Sequence, residues 1–122
     1  MACVDLAQIV ASQSFTAQTS ALSATTIYAP SAAGFFRLNV YVDGNNGNDV
    51  GANVQFTDDR SNAQNAAITF LQNGLWLNSV GDSGSLYGVT AFRSKASVAI
   101  SVSTTFFGSG SYDLYVVLEQ LA

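Results

Sequence analysis

The residues that could perform acid–base chemistry in this chain are carboxylates, because the sequence contains no histidine. That absence removes the commonest general base, His-based catalytic triads and the usual imidazole ligand of metal ions. Asp58 and Asp59 are a pair of carboxylates of the kind that glycoside hydrolysis uses. Adjacent side chains on a strand point to opposite faces, however, so the pair is poorly suited to act together. We expect these residues to cap a turn and the protein not to be an enzyme.

A metal site is the next candidate, in the segment DGNNGND (43–49). Asp43, Asn45 and Asp49 offer the oxygen ligands that calcium prefers. The spacing does not match the helix-loop-helix calcium site, which requires Gly at the sixth position and Glu at the twelfth. A hairpin loop of turn-forming residues is the simpler interpretation. The lone Cys3 has no partner for a disulfide or a zinc site, so we expect no metal and no other cofactor.

Two aromatic residues could instead bind a ligand by stacking. Trp76 lies in the short apolar segment LWL, and Tyr87 follows the glycine-rich segment GDSGS (81–85). Together with the loop residues Asp43, Asn45 and Asp49 they form a candidate ligand loop for a sugar or a receptor. For Trp76, packing in the core is the simpler interpretation.

The elements that must position these residues are strands. In FFRLNVYVD (35–43), Phe36, Leu38, Val40 and Val42 alternate with Phe35, Arg37, Asn39, Tyr41 and Asp43, which is the period of a half-buried strand. Further strands are predicted at 50–59, 66–71, 86–92 and 96–107, and at the end of the chain from Tyr112 to Leu118. Turn signals separate them and no long helical pattern occurs, so the fold class predicted is all-β, a single-domain antiparallel β-sandwich. In such a sandwich the last strand can lie centrally in a sheet.

The chain divides into two predicted parts. Residues 1–30 are rich in Ala, Ser and Thr and end at Pro30, so we predict an extended N-terminal arm and a first strand there. Residues 31–122 form the β-sandwich domain. The N-terminus lacks a basic region and carries Asp5, so it does not resemble a secretion signal, and we expect synthesis in a cytoplasm.

The composition is poor in charge. Only 10% of the residues are charged and the net charge is −4, which gives no support for nucleic-acid binding. Ser, Thr, Asn and Gln make up 40 of the 122 residues, so most of the polar surface is neutral. No segment is long and apolar enough to predict a membrane-spanning helix. Because the cores of protein interfaces are depleted in charge, this composition favours extensive contacts with other protein chains.

Several side chains are candidates for such an interface. The alternation predicts that Phe15, Tyr28, Phe35 and Tyr41 point away from the core, and aromatic residues on an outer face require a cover. Arg37 lies within an apolar strand and must reach solvent or pair with a carboxylate. Its partner is expected among Asp113, Glu119 and Asp58, in a partly exposed cross-strand ion pair.

Three segments carry a resemblance to a known group of proteins. GFFRLNVYV (34–42), VQFTDD (54–59) and YDLYVVLEQL (112–121) resemble the signature segments of small jelly-roll proteins of tailed bacteriophages. That group is similar in turn to the jelly-roll of the tumour-necrosis-factor and C1q proteins. The resemblance implies a jelly-roll-like homotrimer that decorates or cements the phage capsid, and it implies no catalytic residues.

The sequence therefore favours a structural virion protein. We expect a homotrimeric decoration or cement protein on the capsid surface, bound to the major capsid protein and stabilising the phage head. The alternative is a carbohydrate- or receptor-binding module of a phage fibre or tail. Neither hypothesis requires a membrane or a nucleic acid as partner.

Overall fold

The protein is a β-sandwich without a helix in the part of the chain that the computed structural model describes, residues 7–44, 49–72, 75–77 and 85–122. The ten strands are β1 (Gln8–Gln18), β2 (Thr25–Tyr28), β3 (Gly34–Gly44), β4 (Asp49–Thr57), β5 (Ala63–Ala67), β6 (Phe70–Gln72), β7 (Leu75–Leu77), β8 (Ser85–Ser94), β9 (Ile100–Phe107) and β10 (Tyr112–Gln120). Within these ranges no helix could cross a membrane.

The strands form two antiparallel sheets. The larger sheet has the order β1-β10-β3-β8-β6-β7, and the smaller has the order β2-β9-β4-β5. Neighbours in the sheets are mostly distant in the chain, as in a jelly-roll, where connections cross from one sheet to the other. The prediction of an all-β, jelly-roll-like antiparallel sandwich is confirmed.

The last strand is central, as the sequence predicts. β10 pairs with β1 on one side and with β3 on the other, in registers that run from one end of the strand to the other. Both rows of its backbone donors and acceptors therefore have partners. Its inward side chains Tyr112, Leu114, Val116 and Leu118 are all buried.

The core lies between the two sheets. In β3 the inward residues Phe36, Leu38, Val40 and Val42 are at most 1% exposed, so the predicted alternation is confirmed. Each fully buried side chain of this size contributes about 1.5–3 kcal/mol to the free energy of folding. The smaller sheet supplies the opposite side of the core from Val50, Val54, Ile100 and Val102.

One predicted strand is divided in two. The sequence predicts a single strand over 66–71, but β5 ends at Ala67 in the smaller sheet and β6 begins at Phe70 in the larger one. Between them the Ile68 amide donates to the carbonyl of Ala52 at 2.9 Å, while Ile68 and Phe70 are both fully buried. The chain thus crosses between sheets while its apolar side chains stay in the core.

The strand predicted over 96–107 begins later than expected. Residues 95–99 form a turn, in which Ser97 has a positive φ of 64° and its amide donates to the carbonyl of Pro30 at 2.7 Å. β9 therefore starts only at Ile100.

Residues 8–28 take part in both sheets. β1 is the outer strand of the larger sheet, beside β10, and β2 is an outer strand of the smaller sheet, beside β9. Their connection is fixed by a buried hydroxyl pair: the Tyr112 hydroxyl lies 2.7 Å from Thr104 Oγ1 and donates to the carbonyl of Ser20 at 2.8 Å. The extended N-terminal stretch is therefore bound along the sandwich from Gln8 onward.

Gly88 provides a stability test of the sandwich. A Cβ at this position of β8 would lie 2.8 Å from Ile68 Cγ2, 2.8 Å from the Thr69 carbonyl oxygen and 2.9 Å from Phe70 Cδ1. We expect Gly88→Ala to lower the free energy of unfolding by about 1–3 kcal/mol, as overpacked cores do. Urea unfolding measures this, with Ala91→Ser on the exposed side of the same strand as the control. Equal midpoints for the two variants would contradict the close approach of β6 to β8.

Candidate functional site: the tyrosine face

Three tyrosines lie in one row across the outer side of the larger sheet. Tyr115 of β10 is opposite Tyr41 of β3, and Tyr41 is opposite Tyr87 of β8. Their exposed fractions are 37%, 41% and 51%. The ring centroids of Tyr41 and Tyr115 are 6.0 Å apart with the planes tilted by 48°, within the range of favourable aromatic pairs. We call this surface the tyrosine face; besides the three tyrosines it comprises Arg37, Asn39 and Glu119.

Strand periodicity places these rings outside. In β10, Tyr115 lies between the buried Leu114 and Val116, and in β3, Tyr41 lies between the buried Val40 and Val42. Side chains alternate along a strand, so burial of the aliphatic residues forces the tyrosines onto the opposite side. Aromatic residues also favour strands and stabilise them by cross-strand contact.

A hydrogen-bonded amide connects the aromatic row to a charged pair. The Tyr87 hydroxyl donates to Asn39 Oδ1 at 2.5 Å, and Asn39 Nδ2 donates to Glu119 Oε1 at 2.6 Å. Nδ2 also lies 3.4 Å from the carbonyl oxygen of Val117. Both ends of the amide are thereby engaged, so the Tyr87 and Glu119 side chains are held in one arrangement.

Arg37 and Glu119 form a two-point ion pair. They are directly opposite in the β3–β10 register, with Nε 3.0 Å from Oε1 and Nη2 3.2 Å from Oε2. The prediction of a partly exposed cross-strand ion pair is confirmed, and Glu119 is the partner among the three carboxylates considered. Asp113 instead accepts a hydrogen bond from the Ala17 amide at 2.7 Å.

This pair fixes the charge state of the face. The hydrogen bonds from Arg37 and then Asn39, with the positive charge of Arg37, lower the pKa of Glu119 below its ordinary value. The hydrogen bond to Glu119 in turn raises the pKa of Arg37. At neutral pH the carboxylate is ionised and matched by the guanidinium, so Glu119 cannot serve there as a general acid.

The predicted interface residues separate into two groups. Phe35, Arg37 and Tyr41 lie on the outer side of the larger sheet, as expected. The prediction that Phe15 and Tyr28 point away from the core is wrong, because both pack against the core cluster. Phe15 is opposite Leu114 and shares its inward side, and the Tyr28 ring is 6.2 Å from that of Phe36. Phe15 and Tyr28 are therefore partly buried residues at the periphery of the core.

The residues of the candidate ligand loop do not form one described site. Asp43 and Asp49 are exposed at the end of β3 and the start of β4, while Asn45 lies outside the described residues. The backbone of Trp76 is in β7, opposite Leu71, and its side chain also lies outside the described part. Tyr87 belongs to the tyrosine face. No group of three His, Cys, Asp or Glu residues suited to a metal occurs among the described residues.

The two adjacent carboxylates have separate structural roles. Asp58 Oδ1 accepts hydrogen bonds from the Arg60 and Asn62 amides, both at 2.9 Å, which confirms the predicted turn cap. The bond from Asn62 is the largest cause of a lowered pKa of Asp58. Asp59 pairs with Arg93, whose Nε is 2.6 Å from Oδ2. The two carboxylates thus bind different partners.

Two members of the face are predicted neither as site residues nor as partners of Arg37. Tyr115 and Asn39 both alternate with buried aliphatic residues, so the sequence contains the signal that they point outward. The sequence does not show that β10 pairs with β3 and that β3 pairs with β8. These pairings bring Tyr115 beside Tyr41 and Asn39 near Tyr87.

Comparison with known proteins does not identify a family. No family model matches the chain, and no curated protein matches it. Among solved structures, it is similar to the Clostridium thermocellum N-terminal endo-1,4-beta-D-xylanase 10B, CBM22-1-GH10 modules complexed with xylohexaose, at 11% identity and a TM-score of 0.46, over 76% of this chain and 17% of that one. It is also similar to a structure of infectious bursal disease virus Gx strain, at 13% identity and a TM-score of 0.27, over 96% of this chain and 36% of that one. The chain spans well under two thirds of either structure, and TM-scores this low support no argument about function.

The ion pair leads to a pH prediction. A carboxyl whose pKa is lowered on folding stabilises the protein above its unfolded-state value, about 4.3 for glutamate, and this is lost as the pH falls through the lower folded-state value. We therefore expect Glu119→Gln to be less stable than the wild type at neutral pH, with a difference that shrinks in acid. Urea unfolding midpoints from about pH 7 to about pH 3 measure it.

An Arg37→Gln background is the control for that experiment. It removes the largest cause of the lowered pKa, so the effect of Glu119→Gln should depend less on pH there. If the difference in unfolding midpoint between the wild type and Glu119→Gln stays constant with pH, the assignment of a lowered pKa to Glu119 is contradicted.

Proposed function

We propose that this protein is a structural virion component, a homotrimeric decoration or cement protein that binds the major capsid protein and stabilises a phage head. The observation that carries the proposal is the tyrosine face. Tyrosine and arginine are enriched where proteins bind one another, and clusters of exposed aromatic rings mark interaction sites. The sequence resemblance and the charge-poor composition point in the same direction.

The polar groups of the face support burial against protein. Asn39 is engaged at both ends of its amide, and Arg37 and Glu119 neutralise one another. The groups that already make these hydrogen bonds can be covered without becoming unpaired. Because the side chains are held before binding, less conformational entropy is lost on association. We assign the tyrosine face to contacts between subunits.

The opposite side of the sandwich has a different chemistry. On the outer side of the smaller sheet, Gln55 Nε2 donates to Asn65 Oδ1 at 2.9 Å and to Ser103 Oγ at 2.8 Å, and Asn53 also donates to Asn65. The part of the surface around Gln55 is neutral and polar. In our proposal it remains outside the subunit contact, so that the trimer keeps a surface for the capsid. Many weak contacts around a shell then add up through multivalency.

The oligomer provides the first test. Light scattering on a sizing column should give a mass three times the 12.8 kDa chain. At low protein concentration, Tyr41→Ser together with Tyr87→Ser should reduce this mass to one chain, because the centre and one end of the aromatic row are lost. These side chains lie outside the core, so the variant should keep the circular dichroism of the wild type.

The matched control is Phe107→Ser. Phe107 is also aromatic and is 73% exposed, but it lies on β9 of the other sheet. It should leave the mass unchanged. A wild-type monomer at every concentration, or a trimer that survives loss of both tyrosines, would overturn the assignment of the face.

A carbohydrate-binding module is the second candidate, favoured by one observation. Three tyrosine rings in a row, partly exposed and flanked by an amide, form a platform on which sugar rings could stack. The engagement of both ends of the Asn39 amide weighs against it, because sugar hydroxyls need free partners. The interface therefore remains the stronger proposal.

Location in the particle separates the two. Immunogold labelling of virions that carry this chain should place it on the head surface, and an affinity gel containing a neutral polysaccharide should not retard it. Labelling confined to fibres or the tail, with retardation that Tyr41→Ser abolishes, would favour the carbohydrate-binding module. Absence of the chain from virions would contradict both.

A further inference from the structure

The outer edge of β1 is a second surface capable of binding a strand. β1 is eleven residues long and is hydrogen-bonded to β10 on one side. Among the described residues no strand lies on its other side. An edge of this kind presents a row of backbone donors and acceptors to any extended chain that approaches it.

This edge lacks the usual protection in its sequence. QIVASQSFTAQ (8–18) contains no charged residue and no proline, whereas exposed edges commonly carry lysines or prolines that prevent pairing. Its irregularities are a register shift between Ile9 and Ala11 and another between Phe15 and Gln18, where Ala17 has a positive φ of 53°. They enclose a regular run, residues 11–15, paired one to one with residues 114–118 of β10.

That regular run is complementary to itself. In an antiparallel pair centred on Gln13, Ala11 of one copy is opposite Phe15 of the other, and Ser12 is opposite Ser14. Ala11 and Phe15 share the inward side, since their partners in β10 are the buried Leu118 and Leu114. Ser12 and Ser14 are exposed on the outer side. Apolar residues thus meet apolar residues, and hydroxyls meet hydroxyls. At the centre, Gln13 shares the inward side with its partner Val116, and its amide meets the Gln13 amide of the other copy.

The register is specified by the same pattern. A shift by one residue would place Ser12 opposite Gln13. Because opposite residues share one side of a sheet, the second copy would have to be turned over, and its Phe15 would then lie on the outer side of the first copy's sheet. A pair centred on Gln13 also keeps the irregular ends of both strands out of the ladder. Two-fold symmetry requires a surface that complements itself, and this run meets that requirement.

We propose that β1 pairs with β1 of a second copy, antiparallel and centred on Gln13, so that two six-stranded sheets join across a two-fold axis. The occupant of the edge is a second copy of this chain. The contact is separate from the tyrosine face and does not depend on the proposed virion function. A ladder of five residues is short, so the pairing is weak unless copies are concentrated, as on a particle.

A charge-swap experiment tests the partner and the register together. All variants are made in the Tyr41→Ser, Tyr87→Ser background, which removes the tyrosine-face contact. Ser12→Lys with Ser14→Lys places like charges opposite one another twice in the proposed pair. Ser12→Glu with Ser14→Lys places opposite charges there instead, and because both variants carry a lysine at 14, an effect on the neighbouring Tyr115 is common to them.

The readout is the mass by light scattering over a concentration series. In the background chain we expect a rise from one to two chain masses with concentration, a monomer throughout for the Lys/Lys variant, and a dimer again for the Glu/Lys variant. Hydrogen exchange should show that the amides of residues 11–15 that point away from β10 are slowed only in the dimers. A background chain that stays monomeric, or equal masses for the two charged variants, would overturn the proposal.

The test distinguishes this proposal from the proposed function. If the tyrosine substitutions leave the wild-type oligomer intact, the assignment of the face is wrong. The edge pairing is then tested on that oligomer, by comparing its mass between the Lys/Lys and Glu/Lys variants. If they give a monomer that never dimerises, the edge pairing fails and the face assignment stands.

Discussion

The position of β10 between β1 and β3 is the constraint on which the rest of the structure depends. Both backbone edges of this strand are hydrogen-bonded. Its side chains therefore point alternately to the inner and the outer face of the larger sheet. Leu114, Val116 and Leu118 go inward and form the centre of the core. Tyr115 and Glu119 are thereby fixed outward, beside β3. The same ladder that stabilises the sandwich therefore builds the tyrosine face.

A face made in this way is rigid, because its side chains are supported by strands instead of loops. Cross-strand pairing gives the spacing of the rings, and the Asn39 amide fixes Tyr87 relative to Glu119. The charge of Arg37 is matched within the same surface. These features lower the entropic and desolvation costs of covering the face. They favour a permanent contact with another chain over recognition of a hydroxyl-rich ligand.

The sequence carries the alternation of β3 and β10 and the turn chemistry of Asp58, because these are local patterns of one strand or one loop. It also limits the partner of Arg37 to a few carboxylates. Strand order is not local, so the meeting of Tyr115 with Tyr41 could not be derived. The prediction for Phe15 is wrong for a related reason. Period two defines two sides of a strand, but for an outer, irregular strand only the neighbouring strand shows which side is buried.

The two proposed contacts are geometrically linked through β1. Ser14 is opposite Tyr115, so the edge begins where the aromatic row ends. A two-fold axis at Gln13 runs through the sheet, and the tyrosine faces of the two copies then lie on the same side of one continuous sheet. The face contact closes a small oligomer, whereas the edge contact joins one such oligomer to the next. In the two proposals, the face contact gives a compact unit and the edge contact connects one unit to its neighbour.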